Sequence, residues 1–214
     1  PITKFEQQFA FDNVPRDSIV SLFRGFSAPI KYKIYYPESH LRLLVRHETD
    51  VVARWDAVQT LTIRYFKHEV ALGTMINIYA SLLAEALENP GLIAVMLTLP
   101  DEGYVFEMCG EYELDYLIEE YDKLLDGLAT CLHREWLYIY QKLQDNRPYE
   151  PTPVAMARRA MKNTCCFYLG FIPDKREFVT QQFETATNLT DRMAALNSLN
   201  LVQDERRQTA FDAF

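Results

Sequence analysis

Two segments decide the fold: FAFDNVPRDSIVSLFRGFSAPIK, from Phe9 to Lys31, and LRLLVRHETDVVARWDAVQTL, from Leu41 to Leu61. The first has strand-like grammar. Phe9 and Phe11, then Ile19, Val20, Leu22 and Phe23, then Ile30, Tyr32 and Ile34, cluster or alternate as on a pleated surface, and Pro15 and Asp17 supply a turn. The second is helical. Thr49 or Asp50 caps a stripe of Val51, Trp55, Val58, Thr62 and Tyr65, with Val52, Leu61 and Phe66 beside it. The change falls near Pro37 and reads as a domain junction. Two or three strands are marginal alone in water, so residues 1–35 are expected either to lie on the helices or to be the edge of a sheet whose body lies upstream. Pro1 stands where Met would open a gene product, as expected if the natural N-terminus lies upstream.

Outward from the junction the helical period persists. His40 to Arg46 forms a short amphipathic turn or two. The first long helix is expected to end near Gly73, and a second to run from Met75 to Glu88, stopped by Asn89-Pro90. Short helices at Leu92–Leu99 and Tyr104–Cys109 follow. The longest begins at Leu114 and carries Leu117, Ile118, Tyr121, Leu124, Leu125, Leu128 and Leu132 at three- and four-residue steps, with Trp136, Ile139, Tyr140 and Leu143 extending the face. Pro148, Pro151 and Pro153 then break the pattern, before helices over Val154–Phe171, Arg176–Ala186, Asp191–Leu201 and a last one from Asp204 onward. Thr190 is the expected cap for the third of these, with Asp191 at its positive end. Helices of this length on short loops predict a mostly α antiparallel array, solenoid-like and built of stacked hairpins, with two or three strands at the N-terminus. The domains are then residues 1–35, the end of a β-sandwich and its crossover, and 36–214, a helical domain.

Composition narrows function. With 214 residues, 49% hydrophobic and 24% charged, the chain has the make-up of a soluble globular protein, and 7 glycines are few for a barrel or sandwich. A net charge of -8 disfavours nucleic acid as a partner. No apolar run approaches the ~20 residues of a membrane span; the longest pieces are like Leu92–Leu99. Cys109, Cys131, Cys165 and Cys166 have neither CxxC spacing nor a metal-ligand His nearby, which fits reduced, mostly buried thiols of a cytoplasmic protein.

Chemistry-bearing patterns fall short on spacing. His47-Glu48 and His68-Glu69 begin the zincin motif HExxH, but the fifth positions are Val51 and Leu72, and no two of the four histidines stand four apart. Asp101 to Asp126 holds ten acids and one base, Lys123; without a DxDxDG loop it reads as a solvated helix face. Asn188-Leu189-Thr190 fits the glycosylation pattern, though Thr190 is better used as a cap. No catalytic residue and no metal ligand is therefore expected on this stretch.

Several blocks nevertheless resemble one family. Phe9-x-Phe11-Asp12-Asn13-Val14, Phe26-Ser27-Ala28-Pro29-Ile30-Lys31, Leu44-x-Arg46-His47 and Arg54-Trp55-Asp56-Ala57-x-Gln59 are similar to the zinc metallo-aminopeptidases of the bacterial alanyl-aminopeptidase (aminopeptidase N) type. The likeness continues through Leu97-Thr98-Leu99-Pro100, Ala157–Asn163 and Ala186–Asp191; it is weak over 101–145. It implies the end of the family's β-sandwich and the first part of its helical C-terminal domain. The family's HExxH and GxMEN motifs have no counterpart here, so zinc and catalysis would belong to the rest of a parent hydrolase. This stretch would instead pack over the catalytic domain and enclose the chamber that admits peptide substrates. Pro29, Arg54, Trp55 and Asp56 are the expected structural junction: Pro29 fixing the approach, Trp55 buried as an anchor, Arg54 and Asp56 pairing across the boundary. The alternative is a free-standing helical scaffold for protein–protein interaction.

Overall fold

The computed structural model describes residues 5–22, 24–26, 34–145, 149–202 and 205–214. These contain eleven α-helices. The order is α1 (Glu38–His47), α2 (Val51–Phe66), α3 (Leu72–Leu83), α4 (Pro90–Met96), α5 (Glu102–Met108), α6 (Leu114–Cys131), α7 (His133–Lys142), α8 (Pro153–Gly170), α9 (Arg176–Thr185), α10 (Leu189–Leu201) and α11 (Arg206–Ala213). Helix α8 is the hub, packing on α4, α6, α7, α9 and α10. The expected helical array is present, and one continuous apolar core from Leu41 to Ala210 runs through it.

The expected N-terminal strands are not present among the described residues. Residues 5–22 form turns and irregular backbone, and Arg24–Phe26 is a 3₁₀ turn. Ile30, Tyr32 and the expected junction residue Pro29 lie outside the described residues. The physical reason is pairing: a strand needs a ladder partner for its backbone groups. Phe5, Phe11 and Val20 are exposed rather than packed on the helices. The turn at Pro15 does form, with Ser18 N–H donating to Pro15 C=O at 3.0 Å.

Polar contacts hold this segment to the array. The Gly25 amide donates to Asp50 Oδ2 at 2.7 Å, Arg24 donates to Thr49 Oγ1 at 2.5 Å and pairs with Glu48 at 3.2 Å. Gly25 sits at φ 68, a left-handed conformation that favours glycine. Asp50 also caps α2 through Oδ1, accepting from the amides of Val52 and Ala53.

Several expected helix ends move. Helix α2 stops at Phe66, not near Gly73, because His68 turns to φ 58 and closes the end; Gly73 lies in the first turn of α3. Pro90 opens α4 rather than merely stopping α3, since a proline at the first helical position forfeits no hydrogen bond. The long helix from Leu114 breaks at Leu132, where φ/ψ of -109/21 leaves the helical region, and α7 starts afresh at His133. Asn188, not Thr190, caps α10, accepting from the Asp191 amide at 2.9 Å. Gly91 lets α4 approach α8: a Cβ there would come within 3.0 Å of Ala157 Cβ.

The aromatic centre is Trp136. Fully buried, it stacks on Tyr168 with ring centroids 4.2 Å apart and donates from Nε1 to Leu128 C=O at 3.0 Å. Tyr168 in turn donates to Leu97 C=O at 3.0 Å, joining α7, α8 and the end of α4. Cys109, Cys165 and Cys166 are buried, as expected; Cys131, at the α6–α7 break, is exposed.

Candidate functional site

The expected junction residues separate in the structure. Arg54 is buried on α2, and its guanidinium makes a two-pronged bond to Glu85 (2.9 and 2.6 Å) while Nε donates to Val45 C=O at 2.6 Å. These bonds tie α1 and α2 to the turn after α3, inside the helical array. Trp55 is 39% exposed, so the expected burial is not found in this chain. Asp56 is half-buried, and after burial itself its charge is the main influence raising the pKa of Tyr36, two residues before α1. Tyr36 donates to Val20 C=O at 2.7 Å, so Asp56 acts where the N-terminal segment meets the array.

The His-Glu pairs are engaged in local structure. Glu48 accepts from the Asp50 amide at 2.8 Å, and His68 lies against Tyr116, ring centroids 5.0 Å apart. Among the described residues no three His, Cys, Asp or Glu side chains come together as metal ligands. No described helix is long and apolar enough to cross a membrane. The acidic stretch is partly engaged: Glu111 pairs with Lys67 at 3.0 Å, and Glu120 with Lys123 at 2.7 Å, while Tyr65 donates to Glu120 at 3.0 Å.

A concavity lies elsewhere among the described residues. An open groove of about 560 Å³ runs between the end of α7, the start of α8, α9 and the start of α10. Its volume is within the range of ligand-holding clefts. At its base Lys162 Nζ meets Asp191 Oδ2 at 2.6 Å, with side chains 9% and 6% exposed. Asn188 Nδ2 donates to the same oxygen at 3.0 Å. Gln182 Nε2 donates to Asn163 Oδ1 at 2.9 Å and to Asp191 C=O at 3.0 Å, linking α9 to α8 and α10. At the rim Arg159 lies 4.7 Å from the Tyr149 ring centroid and donates to Glu150 C=O at 3.1 Å, and Arg158 donates to Lys142 C=O at 3.3 Å.

Sequence reasoning missed this ion pair. A signal was there: Lys162 falls among Met161, Cys165, Cys166 and Leu169, all buried, where a solvated lysine has no place. What the helical period could not supply is the partner, 29 residues away. A buried cysteine adjoins the base of the groove. The thiol behind it, Cys166, is buried and pushed up to about 12 by that burial, only partly offset by Lys162, so it stays a thiol at neutral pH.

Comparison with known proteins follows the same geography. A profile of the family described as "Domain of unknown function (DUF3458_C) ARM repeats" matches residues 38–214. Over 211 residues the chain is 31% identical to aminopeptidase N of Escherichia coli (strain K12), covering 92% of this chain and 24% of that protein. Aminopeptidase N of Caulobacter vibrioides is 27% identical over 214 residues, 95% of this chain and 25% of the relative. In three dimensions the chain is similar to Legionella pneumophila aminopeptidase A, solved in complex with aspartic acid: TM-score 0.76 and 24% identity over 91% of this chain and 25% of that one, a likeness of fold. The chain thus spans about a quarter of the length of these curated relatives. By its helical array and by the match over 38–214, the chain belongs to the DUF3458_C ARM-repeat family.

Proposed function

We propose that this chain is the non-catalytic first part of the helical C-terminal domain of a cytoplasmic, zinc-dependent aminopeptidase, with residues 1–35 as the crossover from a preceding β-sandwich. In this role it packs against the catalytic domain and closes off the chamber in which N-terminal residues are removed from peptides. The observation that carries the reading is the 31% identity to aminopeptidase N across 92% of the chain. The exposed aromatics Phe5, Phe9 and Phe11, with Val14 and Val20, support it, since a run of such side chains suits a surface that a neighbouring domain covers. Zinc and the reacting groups belong, in this reading, to the remainder of the parent; the chain contributes enclosure and the exclusion of bulk water.

The test uses the full-length parent and the 214-residue chain side by side. The parent is expected to hold one zinc per chain and to hydrolyse aminoacyl anilides, and the chain alone to do neither. A parent without zinc or turnover would overturn the reading. For the enclosing role, Phe9→Asp with Phe11→Asp in the parent is expected to loosen domain packing and raise cleavage of long peptides relative to dipeptides; an unchanged ratio with intact folding would remove it.

A further inference from the structure

A smaller open cleft, of about 230 Å³, lies between α1 and α3. Val45 and Ile78, both buried, form its floor together with the half-exposed Leu43. Arg42 and Arg46 stand on successive turns of one wall, and Asn77 and Ser81 on successive turns of the other. Ser39 lies at the end where α1 begins.

The positive charge of the cleft is not cancelled within it. No carboxylate lines it, and α3 carries no charged residue, in a chain with 30 acids against 22 bases. The acids around it are engaged. Glu85, one turn beyond Ser81, holds Arg54 in its two-pronged bond, and Glu48 accepts from the Asp50 amide and pairs with Arg24. Glu38 reaches Arg42 only at 3.5 Å, at the outer limit of a hydrogen bond. Arg46 has neither an ion pair nor a hydrogen bond among the described residues. It sits in the last turn of α1, whose end carries about half a negative charge, so most of its own charge remains uncompensated.

Guanidinium donors over an apolar floor select the occupant. Two arginines on one wall call for a flat anion with two oxygens. Leu43, Val45 and Ile78 call for an apolar group joined to that anion, which a free phosphate lacks. Asn77, exposed and without a hydrogen-bond partner among the described residues, adds a neutral donor across the cleft. Ser81 adds none, because its hydroxyl already donates to Ile78 C=O at 2.7 Å. A carboxylate carried beside an aliphatic side chain meets these demands, and the last residue of a peptide is such a group. The small volume suits one residue rather than a longer segment.

We propose that the α1–α3 cleft binds the C-terminal residue of a peptide, its carboxylate on Arg42 and Arg46 and its aliphatic side chain on Leu43 and Ile78. The assignment goes beyond the enclosing role and does not depend on it. A ligand blocked at its amino end cannot be trimmed, so its binding is scored apart from any peptidase activity.

The experiment is calorimetric titration of the parent protein with N-acetyl-leucine. We expect one saturable site in the low millimolar range. N-acetyl-leucinamide, which lacks the negative charge, is expected to bind about tenfold more weakly, the effect of losing charge-assisted hydrogen bonds. N-acetylglycine, which lacks the side chain, is expected to lose about tenfold as well. Inorganic phosphate is expected not to bind in this range. Arg46→Gln is expected to weaken N-acetyl-leucine about tenfold with an unchanged melting temperature, since the residue is exposed. That variant also locates the site in the α1–α3 cleft rather than elsewhere on the parent. Absence of binding up to about 20 mM N-acetyl-leucine would overturn the proposal. Equal affinity for the amide, for N-acetylglycine or for phosphate, or full affinity in Arg46→Gln, would overturn it too.

Discussion

Removing the carboxylate of Asp191 tests how the base of the groove is held. Lys162 Nζ and Asp191 Oδ2 are 2.6 Å apart and both side chains are more than nine-tenths buried. At that distance the gross attraction is about 6 kcal/mol for an effective dielectric of about 20. Desolvation of both charges opposes it, so the pair as a whole is close to neutral for stability, while removing one partner leaves a buried charge uncompensated. Asp191→Ala should therefore cost about 3–5 kcal/mol. Lys162→Met should cost about 1 kcal/mol less, because the carboxylate keeps its place at the N-terminal turn of α10 and its bond from Asn188. The double variant should cost about 2–3 kcal/mol less than the sum of the singles. Urea unfolding at pH 7, followed by far-UV circular dichroism, reads all three. A loss below about 1 kcal/mol in Asp191→Ala, or additive singles, would refute the idea that the two charges depend on each other.

Two further outcomes follow from burial and from the N-terminal contacts. Trp136→Ala should cost about 3–5 kcal/mol in the same urea assay and Trp55→Ala less than about 1.5 kcal/mol, since the first is fully buried and the second 39% exposed; the reverse order would be inconsistent with the packing described. Burial resists ionisation of Glu48, yet the amides of Asp50 and Thr49 and the Arg24 charge hold its carboxyl below the usual range; the Ala53 and Gly25 amides do the same for Asp50. A carboxylate lowered in the folded state lends its stabilisation above the ordinary value and loses it as pH falls through the lowered one. The Gly25–Asp50 contact should therefore persist at neutral pH and release below about pH 4, before the helical core does. Hydrogen exchange at the Gly25 amide, corrected for its intrinsic rate, reports this; unchanged protection between pH 6 and pH 3 would contradict it.

The helices themselves are legible along the chain, because an apolar stripe at a 3.6-residue period is a local property. Leu117, Leu124, Leu125 and Leu128 of α6, read as one face, are all buried. Caps are legible only to within a residue or two: Asn188 and Thr190 both carry suitable oxygens, and which of them caps α10 depends on where α9 delivers the chain. The break at Leu132 has no proline or glycine to announce it, and Leu132 fits the stripe on both sides. The strand-like N-terminus shows the converse, since alternation specifies a strand only where a neighbour completes the ladder.

What the sequence by itself determined is the repertoire: a helical array that begins just after Pro37, and blocks shared with aminopeptidase N, all encoded in residues near one another. Only the tertiary structure decided which tryptophan is the anchor, that Arg54 pairs with Glu85, and that Lys162 finds Asp191 beside a groove with unsatisfied acceptors. Those outcomes depend on which helix faces meet. Residues 29 or 31 positions apart become neighbours only when whole helices dock, and no local period carries that information.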